Sequence, residues 1–195
     1  MKKDIILAGV GGQGILSIAA SIGLAAIDSG WFIKQAEVHG MSQRGGDVHS
    51  DLRISDKEIA SDLIPEGKAD LVISVEPMEA LRYLPMLAPG GWLVTNTEPY
   101  VNINNYPDLQ NILDEIKAYP NHIAVDANKI ASDLGQKKSA NMVILGAASL
   151  FLDIEGNKLE KSLHKLFQKK GEEVVHSNIK ALAAGREFAE KYIKN

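Results

Sequence analysis

Apolar residues along the chain occur in short runs and in longer helical stripes, and the two patterns alternate from the start. A continuous apolar run that ends at a glycine predicts a buried parallel strand at Asp4–Ala8. The apolar stretch that follows predicts a helix at Gln13–Ser29, with Gly30 as its C-cap. Further buried strands are predicted at Leu71–Val75 and Trp92–Thr95, and two more strands at Trp31–Ala36 and His122–Val125.

The remaining segments complete an alternation of strands and helices. Val48–Ile54 alternates strictly between apolar and polar residues, which predicts a half-exposed strand that can run antiparallel. Pro89-Gly90-Gly91 predicts a turn ahead of the strand at Trp92–Thr95. Helices are predicted around Met78–Met86, at Ala127–Leu134 and at Asn141–Phe151. Two more are predicted from apolar residues at helical spacing: the first has Leu159, Leu163, Leu166 and Phe167 on its apolar face, and the second has Val175, Ile179, Leu182, Ala189 and Ile193. The order indicates one α/β domain over residues 1–195, a Rossmann-like three-layer fold with a mostly parallel sheet, helices on both faces and a helical C-terminal part.

Composition narrows the function classes. A net charge of −4 argues against a non-specific nucleic-acid binder, which is normally basic. The chain has no cysteine, which excludes disulfides, thiol nucleophiles and cysteine ligands within it, and its five histidines are scattered, so no metal site is predicted. The apolar stretch Ile15–Ile27 is too short to span a membrane, and the N-terminus shows no signal pattern. We therefore expect a soluble, cytoplasmic protein without membrane association.

The first strand ends in a glycine loop, Gly9-Val10-Gly11-Gly12-Gln13-Gly14, which fits the G-x-G-x-x-G spacing between a strand and a helix. Glycines let an anion approach the free N–H groups at the N-terminus of the helix. Glu37 lies about twenty residues further on, where a ribose-binding acid is expected. Two interpretations stay open: a dinucleotide or other phosphate-bearing ligand, or close strand–helix packing without a ligand.

A second loop, Glu37–Ser50, is unusually polar, since it contains two histidines, a lone arginine and three glycines. Such a loop loses conformational entropy when it is ordered and buries little apolar surface in return. It is therefore expected to contact a ligand or a partner.

Three motifs together carry a resemblance to a known family. They are Gly-Val-Gly-Gly-Gln-Gly-Ile at 9–15, Glu-Val-His-Gly-Met-Ser-Gln-Arg-Gly-Gly at 37–46 and Ala-Asn-Met-Val-Ile-Leu-Gly-Ala at 140–147. They resemble the gamma-type domain of the 2-oxoacid:ferredoxin oxidoreductases, and within that family the small (beta) subunit of the indolepyruvate branch. The resemblance implies an enzyme that converts an aryl 2-oxoacid, coenzyme A and oxidised ferredoxin into acyl-CoA, carbon dioxide and reduced ferredoxin.

The family chemistry uses thiamine diphosphate, magnesium and 4Fe-4S clusters. This chain has no cysteine to ligate a cluster and no Gly-Asp-Gly motif followed by the asparagine that thiamine enzymes use to hold magnesium. We therefore expect these cofactors on a large (alpha) partner subunit, with coenzyme A as co-substrate and ferredoxin bound through a hetero-oligomeric complex. On this view the small subunit is inactive alone and completes the site at the interface.

Candidate site residues follow from the two loops. Arg44 and His39 are the candidates for completing the catalytic site, because Arg44 can pair with a carboxylate or phosphate and a histidine can donate a hydrogen bond or shuttle a proton. An interface contact for Arg44, and local hydrogen bonding for His39 and His49, are the alternatives. Asn141 is either an N-cap or a polar group in the same cleft. The candidate cofactor-binding residues are Gly9, Gly11, Gly12, Gln13, Gly14, Ser42, Gln43, Gly45, Gly46 and Asn141.

Two other functions compete with the family assignment. A self-contained NAD(P)-binding protein is favoured by the glycine loop and Glu37, although no catalytic pair follows in the sequence. A pure assembly scaffold, whose glycine loop binds nothing, is the third hypothesis.

Overall fold

The computed structural model describes residues 1–40 and 45–194, and these residues build a six-stranded sheet. Its strands are β1 (Lys2–Val10), β2 (Phe32–His39), β3 (Asp47–Ser55), β4 (Ala69–Ser74), β5 (Leu87–Asn96) and β6 (His122–Val125). Their spatial order is β2-β3-β1-β4-β5-β6. β3 is antiparallel to both of its neighbours, whereas β1, β4, β5 and β6 pair in parallel. The other five strands therefore share one direction, and the predicted mostly parallel sheet is confirmed.

Helices cover both faces of this sheet. They are α1 (Ile15–Ile27), α2 (Pro77–Tyr83), α3 (Leu109–Ala118), α4 (Ala127–Asp133), α5 (Ala140–Ala148), α6 (Gly156–Phe167) and α7 (Glu172–Lys194). One apolar core joins the sheet to α1 and α4–α7, and a second core on the opposite face joins it to α2 and α3. The predicted three-layer α/β architecture with a helical C-terminal part is confirmed.

Two glycines let α5 and α7 approach unusually closely. A Cβ atom on Gly146 would lie 2.0 Å from the carbonyl oxygen of Leu182, and one on Gly185 would lie 1.9 Å from that of Val143. No larger residue fits at either position without moving a backbone. The buried helix α5 is thereby held firmly against α7, and α5 also carries Asn141 to the candidate site.

The prediction that Val48–Ile54 is half-exposed is wrong, although the antiparallel direction is confirmed. Most residues of β3 are buried, so its polar side chains must find partners within the protein. Asp51 Oδ2 accepts a hydrogen bond from the backbone N–H of Ile64 at 2.9 Å, and Arg53 Nε donates to Asp4 Oδ1 at 2.8 Å. Polar alternation in this strand reflects paired buried groups and not solvent exposure.

Two further segments depart from prediction. Pro89–Gly91 lies within β5, where the register with β4 shifts, and is not a turn before the strand. The helix α3 was not predicted. Asp108 caps this helix by accepting a hydrogen bond from the N–H of Asn111, and the helix buries Ile112 and Ile116.

Candidate functional site

The candidate site lies at the edge of the sheet where β1, β4, β5 and β6 end. From β1 the chain runs through α1 towards β2, whereas from β4 it runs through α2 towards β5 on the other side. This change of direction opens a crevice between the ends of β1 and β4, which is where ligands bind in open α/β sheets. The glycine loop follows β1 into this crevice.

Three glycines of this loop serve different purposes. A Cβ atom on Gly9 would lie 2.4 Å from Val75 Cγ2, and one on Gly14 would lie 2.5 Å from Asn141 Nδ2. Gly12 has a φ of +102° with nothing within 4 Å of a Cβ, so only its backbone conformation requires glycine. Gly9 and Gly14 thus support close packing, while Gly12 leaves open space in front of α1.

The side chain of Gln13 closes the glycine loop. Its Oε1 accepts from the N–H of Val10 at 2.8 Å, and its Nε2 donates to the carbonyl of Val75 at 3.4 Å. Gln13 therefore ties the ends of β1 and β4 together while it lines the crevice.

Asn141 contacts the glycine loop directly. It is the second residue of α5, whose N-cap is Ser139, so the N-cap alternative is wrong. Its Nδ2 donates to the carbonyl of Gly14 at 3.2 Å, across 127 positions of sequence. The motif at 140–147 and the glycine loop thus meet in one crevice.

This crevice forms a cleft of about 320 Å³, which we call the lysine cleft. Gly12–Gly14 line one wall, Asn96, Asn128 and Asn141 supply amide groups, and Lys137 and Lys138 stand exposed at the rim. Gly14, the N-cap of α1, lines the cleft, so the positive N-terminal end of this helix faces it. Within the described ranges no side chain caps that end. Sequence reasoning missed the two lysines, whose signal was their position just before Asn141.

The prediction of a loop over Glu37–Ser50 is wrong at both ends, because Glu37–His39 belong to β2 and Asp47–Ser50 to β3. The described residues between these strands lie beside the glycine loop. The N–H of Gly40 donates to the carbonyl of Asp47 at 3.0 Å, and the carbonyl of Gly46 accepts from the N–H of Gly11 at 2.9 Å. The carbonyl of Gly45 accepts from the Asn102 amide. The structure therefore brings Gly11, Gly45 and Gly46 together, whereas Arg44, Ser42 and Gln43 lie outside the described residues.

The two candidate histidines lie on opposite faces of the sheet. His39 is exposed at the end of β2, where its Nε2 contacts the carboxyl group of Glu37, and it lines a cleft with Leu16 on the α1 face. His49 faces α2, where its Nδ1 lies 2.7 Å from Tyr83 Oη. One small substrate could not contact both rings.

Around His49 the structure gathers ionisable groups that sequence reasoning missed. Tyr83 Oη donates to Asp47 Oδ2 at 2.8 Å, and Arg82 Nε donates to the buried carboxyl of Glu79 at 2.7 Å. Burial raises the pKa of Glu79; Arg82 opposes this and the neighbouring Asp47 carboxylate reinforces it. Burial likewise raises the pKa of Tyr83, which stays protonated.

The position of Glu37 does not suit a ribose-binding acid. Glu37 pairs with Ser50 of β3, and Ser50 in turn pairs with Leu7 of β1. An antiparallel strand therefore separates Glu37 from the strand of the glycine loop by two strand spacings, roughly 10 Å. The geometry gives no support to the NAD(P)-binding alternative.

Residues 1–40 and 45–194 contain neither a cluster of metal ligands nor a membrane-spanning helix. Among these residues no group of three histidine, aspartate or glutamate side chains could hold a metal ion. No helix in the same ranges is long and apolar enough to cross a membrane.

Comparison with known proteins identifies the family. A family model described as "Pyruvate ferredoxin/flavodoxin oxidoreductase" matches residues 4–188. "Indolepyruvate oxidoreductase subunit IorB" of Pyrococcus horikoshii is 40% identical over 156 residues, which are 75% of this chain and 77% of that protein. The protein of the same name from Archaeoglobus fulgidus is 36% identical over 196 residues, which are 95% of this chain and 94% of that protein.

Solved structures share the fold. The gamma subunit of a keto/oxoacid ferredoxin oxidoreductase from Geobacter sulfurreducens is 26% identical with a TM-score of 0.71, over 97% of this chain and 99% of that one. A 2-oxoglutarate:ferredoxin oxidoreductase from Magnetococcus marinus, solved with 2-oxoglutarate, coenzyme A and succinyl-CoA bound, is 24% identical with a TM-score of 0.77. This chain covers 31% of the length of that longer one. The chain belongs to the pyruvate ferredoxin/flavodoxin oxidoreductase family.

Proposed function

We propose that the chain is the small subunit of an indolepyruvate:ferredoxin oxidoreductase, which oxidises an aryl 2-oxoacid with coenzyme A to acyl-CoA and carbon dioxide and reduces ferredoxin. The observation that carries this proposal is the 36% identity to a subunit of that name over nearly the whole of both chains. Other relatives are subunits of 2-oxoglutarate synthases, at 29% identity or less, so the indolepyruvate branch is favoured.

The proposal assigns thiamine diphosphate, magnesium and 4Fe-4S clusters to a large (alpha) partner subunit. A chain without cysteine cannot supply thiolate ligands to a cluster, which supports this division. The complex would work in the cytoplasm and transfer electrons to ferredoxin, and the small subunit would be inactive alone.

The lysine cleft fits the anionic part of coenzyme A. Lys137 and Lys138 offer two cations at its rim, and the N-terminus of α1 offers backbone N–H groups at its floor. A volume of about 320 Å³ holds a phosphate-bearing portion of the molecule and not all of it. When bound, coenzyme A supplies the thiol that accepts the acyl group. The residues of this chain hold and orient it.

We further propose that Arg44 and His39 complete the site at the interface with the large subunit. His39 ends β2, and Gly46, which follows Arg44 closely in sequence, accepts from the N–H of Gly11 in the glycine loop. Arg44→Ala is expected to reduce turnover of the assembled enzyme more than it reduces assembly, measured by specific activity and by co-purification. Loss of assembly with normal specific activity of the residual complex would make Arg44 an interface contact.

The experiment that tests the function is anoxic co-expression of this chain with the large subunit, followed by an indolepyruvate assay that depends on coenzyme A. The complex should reduce ferredoxin, and the isolated small subunit should not. Robust 2-oxoacid oxidation by the small subunit alone, or a complex that is fully loaded with cofactors and inactive on every 2-oxoacid, would contradict the proposal.

The cleft has its own test within that assay. The double variant Lys137→Ala/Lys138→Ala should raise the KM for coenzyme A roughly tenfold, because two exposed charged contacts together contribute about 1.4 kcal/mol to binding. Lys191→Ala is the matched control, since this lysine pairs with Glu187 on α7, away from the cleft. An unchanged KM for coenzyme A would remove the lysine cleft from its binding site.

A further inference from the structure

β2 lies at one edge of the sheet, and within the described residues it pairs on one side only, with β3. The N–H of Gly40 donates to the carbonyl of Asp47, which lies opposite it at the end of the register of these two strands. In an antiparallel pair such hydrogen-bonded positions recur at every second residue, so the even-numbered residues of β2 bond to β3. The N–H and C=O groups of the odd-numbered residues point away from the sheet. These residues are Ile33, Gln35, Glu37 and His39.

The outer edge of β2 carries none of the usual obstacles to strand pairing. Proteins commonly block an open edge with a proline, a bulge or a lysine that points off the edge. β2 contains no proline, and its register with β3 is continuous from Phe32 to His39. Its one lysine, Lys34, lies across a face of the sheet, where its Nζ donates to the carbonyl of Ala60 at 3.2 Å. The edge can therefore accept another strand.

Apolar side chains are exposed beside this edge on both faces of the sheet. Phe32 and Val38 lie on the face towards α2, and each is about half exposed. On the other face, α1 contains no charged residue, and its Leu16 and Ile27 are also about half exposed. A surface helix normally has a polar outer side. This edge of the molecule therefore has the character of a surface that another protein covers.

We propose that β2 pairs with the β2 of a second copy of this chain, antiparallel about a two-fold axis, so that the two sheets become one. Such an axis is perpendicular to the sheet and keeps α1 of both copies on the same face. Residues that lie opposite each other point to the same face, so odd-numbered residues are opposed to odd-numbered ones. These are the residues whose backbone groups point outwards, and each opposed pair exchanges both of its hydrogen bonds.

The side chains select one register of this pairing. With Gln35 on the two-fold axis, Phe32 of each copy lies opposite Val38 of the other. This is a position without direct hydrogen bonds, where opposed side chains are closest, and pairs of an aromatic and a β-branched residue are favourable there. The two exposed apolar residues on this face of β2 thus cover each other, once on either side of the axis.

The neighbouring registers are worse. With Lys34 on the axis, the two copies of this lysine are opposed, and with Glu37 on the axis two carboxylates are opposed. With Ala36 on the axis, Phe32 lies opposite Gly40 and loses its apolar partner. Only the register centred on Gln35 avoids opposed like charges and also pairs the exposed apolar residues.

The same register brings together the exposed ends of α1. Trp31, just before β2, lies opposite His39 of the second copy. Ile27 is in the turn that leads to Trp31, since its carbonyl accepts from the N–H of Gly30, and Leu16 lines a cleft with His39. Ile27 of one copy therefore approaches Leu16 of the other on the α1 face, where both are exposed.

A cysteine cross-link tests the register, because the native chain has no cysteine and one introduced thiol reports this contact alone. Gln35→Cys places two thiols opposite each other with their Cα atoms roughly 5.5 Å apart, a separation that a disulfide bridges. Mild oxidation of the full chain should give a disulfide-linked dimer. Ala36→Cys is the matched control, because its two copies are diagonal neighbours roughly 7–8 Å apart and should not link. No linkage of Gln35→Cys, or equal linkage of both variants, would overturn the proposed pairing.

Sedimentation equilibrium of the full chain measures the dimer without a cross-link. The mass should rise with concentration from 21.1 kDa towards twice that value. Val38→Glu should weaken dimerisation roughly tenfold or more, because a carboxylate would be placed against Phe32 in both copies. Ile193→Glu is the matched control, since this residue is similarly exposed but lies near the end of α7. Both variants should keep the thermal midpoint of the wild type. A chain that stays monomeric up to roughly 100 µM, or a dimer that Val38→Glu leaves intact, would contradict the proposal.

A strand of the large subunit is the competing occupant of this edge. It would give a monomeric small subunit, no cross-link for Gln35→Cys, and backbone amides of β2 that are protected from hydrogen exchange only in the assembled complex. That set of results would also overturn the proposal. The pairing does not rest on the proposed function, because the cross-link and the sedimentation experiment need this chain alone. An inactive complex would therefore refute the function and leave the dimer result standing.

Discussion

The edge of the sheet where the glycine loop ends has two sides, and they handle charge in opposite ways. On the α5 side, Lys137 and Lys138 are exposed at the rim of the lysine cleft, next to neutral amides and the N-terminus of α1. On the α2 side, Glu76 and Glu79 are buried, and Asp47 is partly buried with one oxygen atom fully covered. The strand β1 separates an accessible positive surface from an enclosed acidic one.

The difference shows what each side can contribute to a reaction. Exposed lysines stay hydrated and therefore pay no desolvation penalty in the folded protein, so they can bind an anion that arrives from solvent. Buried acids must find donors within the protein. Glu76 does so fully: it accepts from the N–H of Glu79 at 2.8 Å, from the N–H of Tyr100 at 3.3 Å and from the hydroxyl of Tyr106. Tyr100 also lines the lysine cleft, so the segment after β5 connects the two sides.

The largest expected effect is on the junction between the glycine loop and α5. Gly14→Ala should lower the free energy of unfolding by about 2–3 kcal/mol, because alanine is strained at a φ of +84° and its Cβ would displace the Asn141 amide. Urea denaturation measures the change, and the variant should also weaken coenzyme A binding in the complex.

Gly12→Ala is the matched control for that junction. Gly12 also has a positive φ, but a Cβ there meets nothing within 4 Å, so only the backbone strain of about 1–2 kcal/mol remains. Equal losses for the two variants would show that the contact with Asn141 contributes nothing to holding α5 against the loop.

The α5 side could be predicted from sequence in large part. The spacing of the glycine loop and the motif at 140–147 pointed to two segments that the structure brings together through Asn141 and Gly14. A local pattern sufficed for the glycine loop, because a strand, a glycine loop and a helix follow one another in the chain, whereas the segment at 140–147 was marked by the family resemblance and not by a local pattern. The lysines escaped notice because exposed lysines are common on any surface.

The α2 side could not be predicted, because its contacts join residues that are distant in sequence and that no recognised motif marks. Asp47 and Tyr83 are 36 positions apart, and no local pattern indicates that their side chains meet. The burial of β3 was misjudged for the same reason, since alternation in one strand does not reveal which distant segments cover its polar face. A tyrosine at the end of a short helix gives no signal of its own until the fold places an acid beside it.

A smaller effect is expected when the acidic side loses one donor. Tyr83→Phe removes the hydroxyl that donates to Asp47 Oδ2 and should cost about 1–2 kcal/mol in the free energy of unfolding near neutral pH. Tyr119→Phe is the control, because its hydroxyl donates to the carbonyl of Gly91 at 3.2 Å and not to an acid. A loss for Tyr83→Phe no larger than for Tyr119→Phe would mean that Asp47 does not depend on this donor.

The smallest expected effect concerns the lysines themselves. Lys137→Ala/Lys138→Ala should change the free energy of unfolding by less than about 0.5 kcal/mol, because exposed charges contribute little to stability. Lys165→Ala is the comparison, since Lys165 contacts both oxygens of Asp28 at 2.8 and 2.7 Å and joins α6 to the end of α1. Lys165→Ala should lower the free energy of unfolding by up to about 1 kcal/mol, and added salt should reduce that loss. If the double variant loses more than Lys165→Ala, the cleft lysines hold the fold together, and the contrast between an accessible positive side and an enclosed acidic side no longer stands. If stability is unchanged while the KM for coenzyme A rises, the positive charge on the α5 side serves the ligand alone.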